Sequence, residues 1–406
     1  MNQPNKTLPL WQVLLCGAAI VTLSMGVRHG FGLWLQPITQ AQNWTRENFA
    51  LAMAIQNLAW GFFSIFSGMM ADKFGAFRVI LVGALLYALG LVGMAYSTSV
   101  LAFSLTTGVL IGIAQAGTTY PVIYGVIGRN VSAEKRSWAM GVAAAAGSFG
   151  QFLMVPVEGF LITNFGWQEA LVWLTLAMLV AVPMALGLRE PNFGNSHAKA
   201  REQSIFQALR EAFAYRSFQL LMAGFFVCGF QVVFIAVHMP SYLKDNGLSP
   251  EVASIALALI GLFNVFGTYI AGSLGQRLAK RKILAFIYLS RSVAIALFLL
   301  APITPWTVYI FTSVMGLLWL STVPPTNAVI AQIFGLAHFS MLSGFVFFSH
   351  QSGSFMGVWL GGYLYDKSGS YDIVWYLAIA LGLFAAFVNL PVKENAIHRK
   401  PEMATA

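Results

Sequence analysis

The sequence predicts an all-α membrane protein: twelve transmembrane helices in two pseudo-symmetric six-helix bundles. Two observations lead there. Charged residues make up only 9% of 406 and hydrophobic residues 58%, with a mean hydropathy of +0.72; a soluble domain carries about 25% charged residues. In addition, one stretch is written twice, about 203 residues apart. Phe31 to Pro37 (FGLWLQP), Asn43 and Gly68 to Gly75 (GMMADKFG) return as Phe234 to Pro240 (FIAVHMP), Asn246 and Gly272 to Ala279 (GSLGQRLA). Gly112 and Pro121 return as Gly316 and Pro325, and Gly141, Gly150, Gly159 and Gly166 as Gly344, Gly353, Gly362 and Gly369. A doubled multi-span unit is a common construction of secondary transporters, with substrate held between the halves.

Each apolar run is long enough to cross a hydrocarbon layer of about 30 Å, which takes roughly 20 helical residues. Spans are expected at 10–36, 48–70, 79–96, 101–128, 136–163 and 168–188, then 216–243, 250–274, 282–301, 305–328, 338–364 and 371–391. The first run exceeds a signal-peptide core and leads into motifs shared with the second half, so it reads as a retained span. Trp44, Trp167, Trp306 and Tyr371 mark span ends at the interface. The sharpest composition break is Arg189 to Arg216. There Ile205, Leu209 and Phe213 share one helical face, as in an amphipathic helix lying on the membrane surface. The expected division is an N-terminal bundle (1–188), a cytoplasmic linker (189–215), a C-terminal bundle (216–393) and a cytoplasmic tail (394–406).

The net charge of +9 is explained by topology, not by nucleic acid. With the N-terminus inside, 18 of the 23 basic residues fall in cytoplasmic segments, among them Lys73, Arg78, Arg129, Arg216 and Arg281; Arg46, Lys244 and Lys367 lie on the other face. The positive-inside rule then places both termini in the cytoplasm. Cys16 and Cys228 sit in apolar runs without metal-ligand spacing and read as packing residues. Glycines at helical spacing in spans 5 and 11 predict close approach of neighbouring helices.

Gly68-x-x-x-Asp72-Lys73-x-Gly75 followed by Arg78 resembles the loop 2–3 signature of the major facilitator superfamily. The resemblance implies a latch, in which Asp72 meets basic groups and a helix N-terminus of the neighbouring half. In the second copy Gln276 stands where the acid would be. Within the superfamily the chain is similar to the monocarboxylate-porter and oxalate/formate-antiporter branch. The matching text is Gly26 to Pro37 (GVRHGFGLWLQP), Trp44-Thr45, and Gly361-Gly-Tyr-Leu-Tyr-Asp366-x-x-Gly369. Animal monocarboxylate porters carry an acid and an arginine in span 8 where this chain has Asn264 and Thr268, so their substrate and coupling do not transfer directly. The resemblance implies a multi-pass protein of a bacterial inner membrane, acting as a monomer.

Three strongly charged residues fall inside expected spans: Arg28, Glu158 and Arg291. A charge there is costly and faces a water-filled cavity or a partner. Arg28 lies in span 1, and its counterpart by the repeat is Gln231; a guanidinium opposite an amide suits a carboxylate. The alternative is a structural arginine bonded to backbone carbonyls, and Arg291 in span 9 reads more readily that way. Glu158 reads as a protonation site or as an acid snorkelling to the interface. His350 and Gln351, mid-way along span 11, read as substrate contacts, with His350 also able to carry a proton. Gln115, Tyr120, Tyr124, Asn264 and Asn327 add polarity near the axis.

No nucleophile with a base, metal cluster or phosphate-cradling loop is evident, so neither an enzyme nor a cofactor is expected. The expected activity is transport of a small organic anion, a mono- or dicarboxylate, coupled to protons. The rival expectation is efflux of a drug-like or aromatic compound past Trp60 and Trp319; a sensor built on a transporter fold is a third.

Overall fold

The computed structural model describes residues 8–190, 204–335 and 338–397, without the side chains of residues 72, 128, 133, 134, 136–138 and 340. The described chain is helical, with no strand. Spans 1 to 6 are Leu10–Gln42, Arg46–Phe74, Ala76–Tyr96, 100–130, Ala133–Phe165 and Trp167–Leu186. Spans 7 to 12 are Arg216–Asp245, Pro250–Leu274, Lys280–Leu300, Pro305–Phe334, Phe339–Ser368 and Asp372–Asn389.

Local chemistry sets the boundaries. The Thr45 hydroxyl caps span 2 by accepting from Asn48 N–H at 3.2 Å. Span 10 opens on a Thr304 capping box with Pro305 in its first turn. Gly75, at φ 88°, and Gly166, at φ 84°, turn the chain between consecutive spans in a region that disfavours a Cβ. A separate helix, Ile205–Ala214, starts at a Ser204 capping box and buries Ala208 and Ala212 while leaving Phe206 exposed.

Among the described residues eleven helices are long and apolar enough to cross a membrane. Span 11 has the length, 30 residues, but Ser349, His350, Gln351, Ser352 and Ser354 lower its hydropathy. It packs between spans 2 and 7, which bury His350, Gln351 and Ser354. Spans 4 and 10, expected as continuous helices, are broken: Thr119 is extended before Tyr120-Pro121, and span 10 loses helical form between Leu318 and Val323. Pro121 and the Pro324–Pro325 pair have no N–H to donate and crowd the preceding turn, which accounts for both breaks. Span 1 breaks too, with a 3₁₀ turn, Phe31–Trp34, after the helix Leu10–His29.

In the N-terminal half span 1 lies on span 5 and span 3 on spans 4 and 6; in the C-terminal half span 7 lies on span 11, span 8 on span 10 and span 9 on span 12. The halves meet along three seams, spans 2 and 11, 5 and 8, and 1 and 7. Within halves, spans touch backbone to backbone: a Cβ at Gly353 would strike the Phe226 carbonyl, and one at Gly150 the Thr22 carbonyl. Large apolar side chains such as Trp11, Leu300 and Trp306 point outward, as a lipid-facing surface requires.

Candidate functional site

The break in span 1 leaves Arg28 one residue from a helix end, half-buried beside the seam with span 7. Its Nη2 donates to Asn57 Oδ1, and Asn57 is held in that orientation by its own bond to the Met53 carbonyl at 2.7 Å. The guanidinium lies over the Trp60 ring at 4.7 Å, and its buried Nε has no partner. Trp60 in turn donates to the Thr119 hydroxyl at 3.2 Å, at the break in span 4. Asn57 and Trp60 are one helical turn apart on span 2, so both reach the same guanidinium. A cavity of about 10 Å³ lies beside them, lined by Arg28, His29 and Asn57 and, from the other half, Val233 and Ala236. That is room for one water at most. Nothing larger than a water fits beside Arg28 while spans 1 and 7 are in contact.

Aromatic rings continue the site into the C-terminal half. Trp60 meets Phe347 edge-on at 5.2 Å, and Phe347 stacks on His350 at 6.0 Å. His350 bonds Gln351 through Nδ1 at 3.1 Å and packs on Phe225. Gln351 lies against Gly61, and its Nε2 has no partner. Tyr120 and Tyr124 pair at 5.6 Å, with the Tyr120 hydroxyl against Gly147 of span 5. Gln115 is fully buried beside Tyr87. Asn327 is half-buried on the last part of span 10.

Other expected site residues are drawn elsewhere. Gln231 does not face Arg28: its amide donates to the Ala378 carbonyl at 2.8 Å and accepts from Arg291 at 3.4 Å, inside the C-terminal half. Its nearest hydrogen-bonding groups lie on spans 9 and 12, and burial obliges it to use them. Arg291 is fully buried and donates to the carbonyls of Leu318 and Trp319, the groups that the break in span 10 leaves open. Asn264 joins three spans, donating to Ser148 at 2.8 Å and accepting from Leu320 N–H at 2.9 Å and from Thr268 at 3.1 Å. His29 turns back to the Met25 carbonyl at 2.6 Å. Glu158 is fully buried, with neither carboxylate oxygen partnered.

Two sets of residues escape the sequence reading. Asn57 is one; a polar residue mid-span, a turn before a tryptophan, is the signal for it. The other is a cluster at one end of the halves. Arg46 grips Asp245 with two bonds of 2.6 and 2.7 Å and the Tyr371 hydroxyl at 2.9 Å, and lies 3.8 Å over the Tyr365 ring. Gln36 adds a bond to Asp245 at 2.9 Å. Asp366 accepts from the N–H groups of Arg46 and Glu47 at 3.2 and 2.6 Å, so a carboxylate from one half caps the first turn of span 2 in the other.

At the opposite end, span 2 finishes at Phe74 before Gly75, Arg78 donates to the Phe74 carbonyl at 3.3 Å, and Lys73 lies 5.3 Å from the Phe74 ring. Gly68 has open space where a Cβ would be. The Asp72 side chain lies outside the described residues, so the expected latch contact does too. A cavity of about 510 Å³ lies here between Phe74, Gly75, Arg78, Arg189 and Glu190. Glu190 is bound by Arg129 at 3.0 Å and Asn130 at 2.7 Å.

Two halves of broken, glycine-seamed spans around a shared polar centre define a membrane transporter of the doubled type. The profile of the Major Facilitator Superfamily matches residues 14–325 and 247–405, and the chain belongs to that family, one of transporters rather than enzymes. It is 24% identical over 397 residues, 94% of each chain, to the uncharacterized MFS-type transporter YcxA of Bacillus subtilis. It is 24% identical to monocarboxylate transporter 13 of Rattus norvegicus over 390 residues, 94% of this chain and 89% of that one. Monocarboxylate transporter 11 of Mus musculus gives 24% over 393 residues, 94% and 86%. Among solved structures the nucleoside transporter NupG superposes with a TM-score of 0.76 at 14% identity, covering 94% of this chain and 99% of that one. A D-xylose-proton symporter gives 0.74 at 15% identity, covering 95% and 99%. These two likenesses carry the fold alone.

Proposed function

We propose that this transporter carries a small organic anion, a mono- or dicarboxylate, across a bacterial inner membrane by alternating access, with protons as the coupling ion. Both termini face the cytoplasm, so the Arg46–Asp245 cluster closes the outer side. One observation carries the reading: Arg28 stands at the seam between the halves with an unpartnered Nε beside a small cavity. A carboxylate taking that Nε and a neighbouring N–H gains a forked, charge-assisted pair. Likeness to the two monocarboxylate transporters supports the cargo class.

The test is counterflow of labelled lactate or pyruvate in liposomes. Arg28→Lys keeps the charge but loses the fork, and is expected to raise the apparent KM. Arg28→Gln is expected to end anion exchange while the protein stays monodisperse in detergent. A folded Arg28→Gln protein that binds the same carboxylate as tightly as wild type refutes the reading. The ring series Trp60–Phe347–His350 favours a second reading, efflux of an aromatic hydrophobic compound. Drug sensitivity of an efflux-deficient host expressing the protein, without any carboxylate counterflow, is the result that would select it.

A further inference from the structure

Glu158 is wedged into the break of span 1. Its Oε2 occupies the place that a Cβ on residue 30 would take, so the acid and the glycine fit only each other. The charged and titratable groups on the surrounding spans have other partners or stand at the membrane edge, and only the Tyr87 phenol is close enough to interact with the carboxyl. On span 1, Arg28 bonds Asn57 and His29 bonds Met25; on span 3, the Tyr87 hydroxyl bonds the Ser24 carbonyl at 3.1 Å. On span 4, Tyr120 lies deeper, against Gly147. Spans 6 and 8 carry Glu169 and Glu251 in their first turns, both exposed at the membrane edge. A carboxylate so placed, without hydrogen bond or countercharge, is not kept ionised; it takes a proton or a cation. The small cavity at Arg28 is lined by other residues, and a metal cation needs several oxygen ligands at bonding distance. A proton needs no room.

The position also ties this group to closure. The next residue, Gly159, sits against Ser254 of span 8, and about two turns back Gln151 donates to the Leu257 carbonyl at 2.9 Å. Glu158 is thus buried by the span 1 break on one side and the seam between the halves on the other.

We infer that Glu158 is the proton-carrying group of the cycle, and that the halves close at the Arg46 end only when its carboxyl is protonated. The proton is taken from water on that side while the seam is open, and given up on the other side once the halves part there. This rests on the reading of the chain as a proton-coupled carrier, and it names the group that reading leaves unassigned.

The experiment separates the two. In full-length protein lacking Cys16 and Cys228, a cysteine at Val233 lines the cavity behind the seal and reports opening through its rate of alkylation by an impermeant maleimide. Because the thiolate is the reacting species, each rate is divided by that of the same cysteine in denatured protein at the same pH. The expected result is a slow normalised rate at low pH and a faster one as pH rises, with Glu158→Gln, which keeps shape and neutrality, slow at every pH. A normalised rate in Glu158→Gln that still follows pH overturns the inference. If Glu158→Gln does not fold, His350→Gln decides: labelling that keeps its pH dependence supports Glu158, and labelling that loses it overturns the assignment. Sodium replacing protons as the closing ion in wild type also overturns it. None of these readouts needs cargo, so a failure of carboxylate counterflow would strike the proposed cargo and leave this result standing. Where counterflow works, Glu158→Gln is expected to keep exchange and lose uphill accumulation.

Discussion

Replacing Arg46 by alanine removes, at one stroke, two bonds to Asp245, one to the Tyr371 hydroxyl and the contact with the Tyr365 ring. The side chains are 13% and 28% exposed, so the pair is neither a free surface ion pair nor a dry one. Fully exposed pairs contribute about 0.2–1 kcal/mol, and hydrogen bonds to charged groups about 1.5–3 kcal/mol. A two-pronged pair at this depth lies between, so its coupling is about 1–2 kcal/mol, a factor of about 5–30 between closed and open forms. The assay is again alkylation of a cysteine at Val233, compared for Arg46→Ala, Asp245→Ala and the double variant. Each single variant is expected to label about tenfold faster than its parent, and the double within about twofold of either. Two single effects that multiply in the double variant would refute the lock.

Asp366→Asn keeps an acceptor for the first turn of span 2 but removes the charge, and is expected to weaken closure by about 0.3–1 kcal/mol with little change in Tm. Asn264→Ala leaves the Leu320 N–H without its acceptor and is expected to cost about 1–3 kcal/mol of stability, read as a lower Tm in detergent. Arg291→Met strips the partners from two buried carbonyls and is expected to abolish monodisperse protein; a folded Arg291→Met that merely loses substrate affinity would place Arg291 in the site instead.

The fold is legible because hydropathy and the doubled text are both read along the chain, and a span needs little else. Breaks are visible as Pro121 and Pro325, but whether a proline kinks a helix or divides it depends on what neighbours satisfy the freed carbonyls. Here Arg291 does so for span 10, from another helix. The site is less legible. Counting by the repeat makes Gln231 the mirror of Arg28, yet counting carries nothing about which partner lies within reach, and Ala378 and Arg291 are closer. Arg46 reads as a loop charge that marks the outer face, and nothing along the chain singles out Asp245. Their pairing across 199 residues exists only once the halves have met.

The seams between the halves share a construction with the contacts inside them, but the two have different work to do. A Cβ at Gly32 would meet the Ala236 carbonyl, one at Gly261 the Ser148 carbonyl at 2.9 Å, and one at Gly362 the Arg46 carbonyl at 2.9 Å. All three pairs join opposite halves. At these points nothing is interlocked, because a glycine offers no side chain to withdraw when the surfaces separate. At the glycines each seam is a smooth bearing, tight when closed and free of rotamer barriers when parting, and the side chains that do cross it, such as Gln151 and Asn264, hold by single hydrogen bonds. An alanine at Gly353, inside one half, therefore damages a permanent joint and the fold with it. An alanine at Gly261 meets span 5 across a moving joint instead, and is expected to leave a folded protein whose seam closes less tightly, read as faster alkylation of a cysteine at Val233.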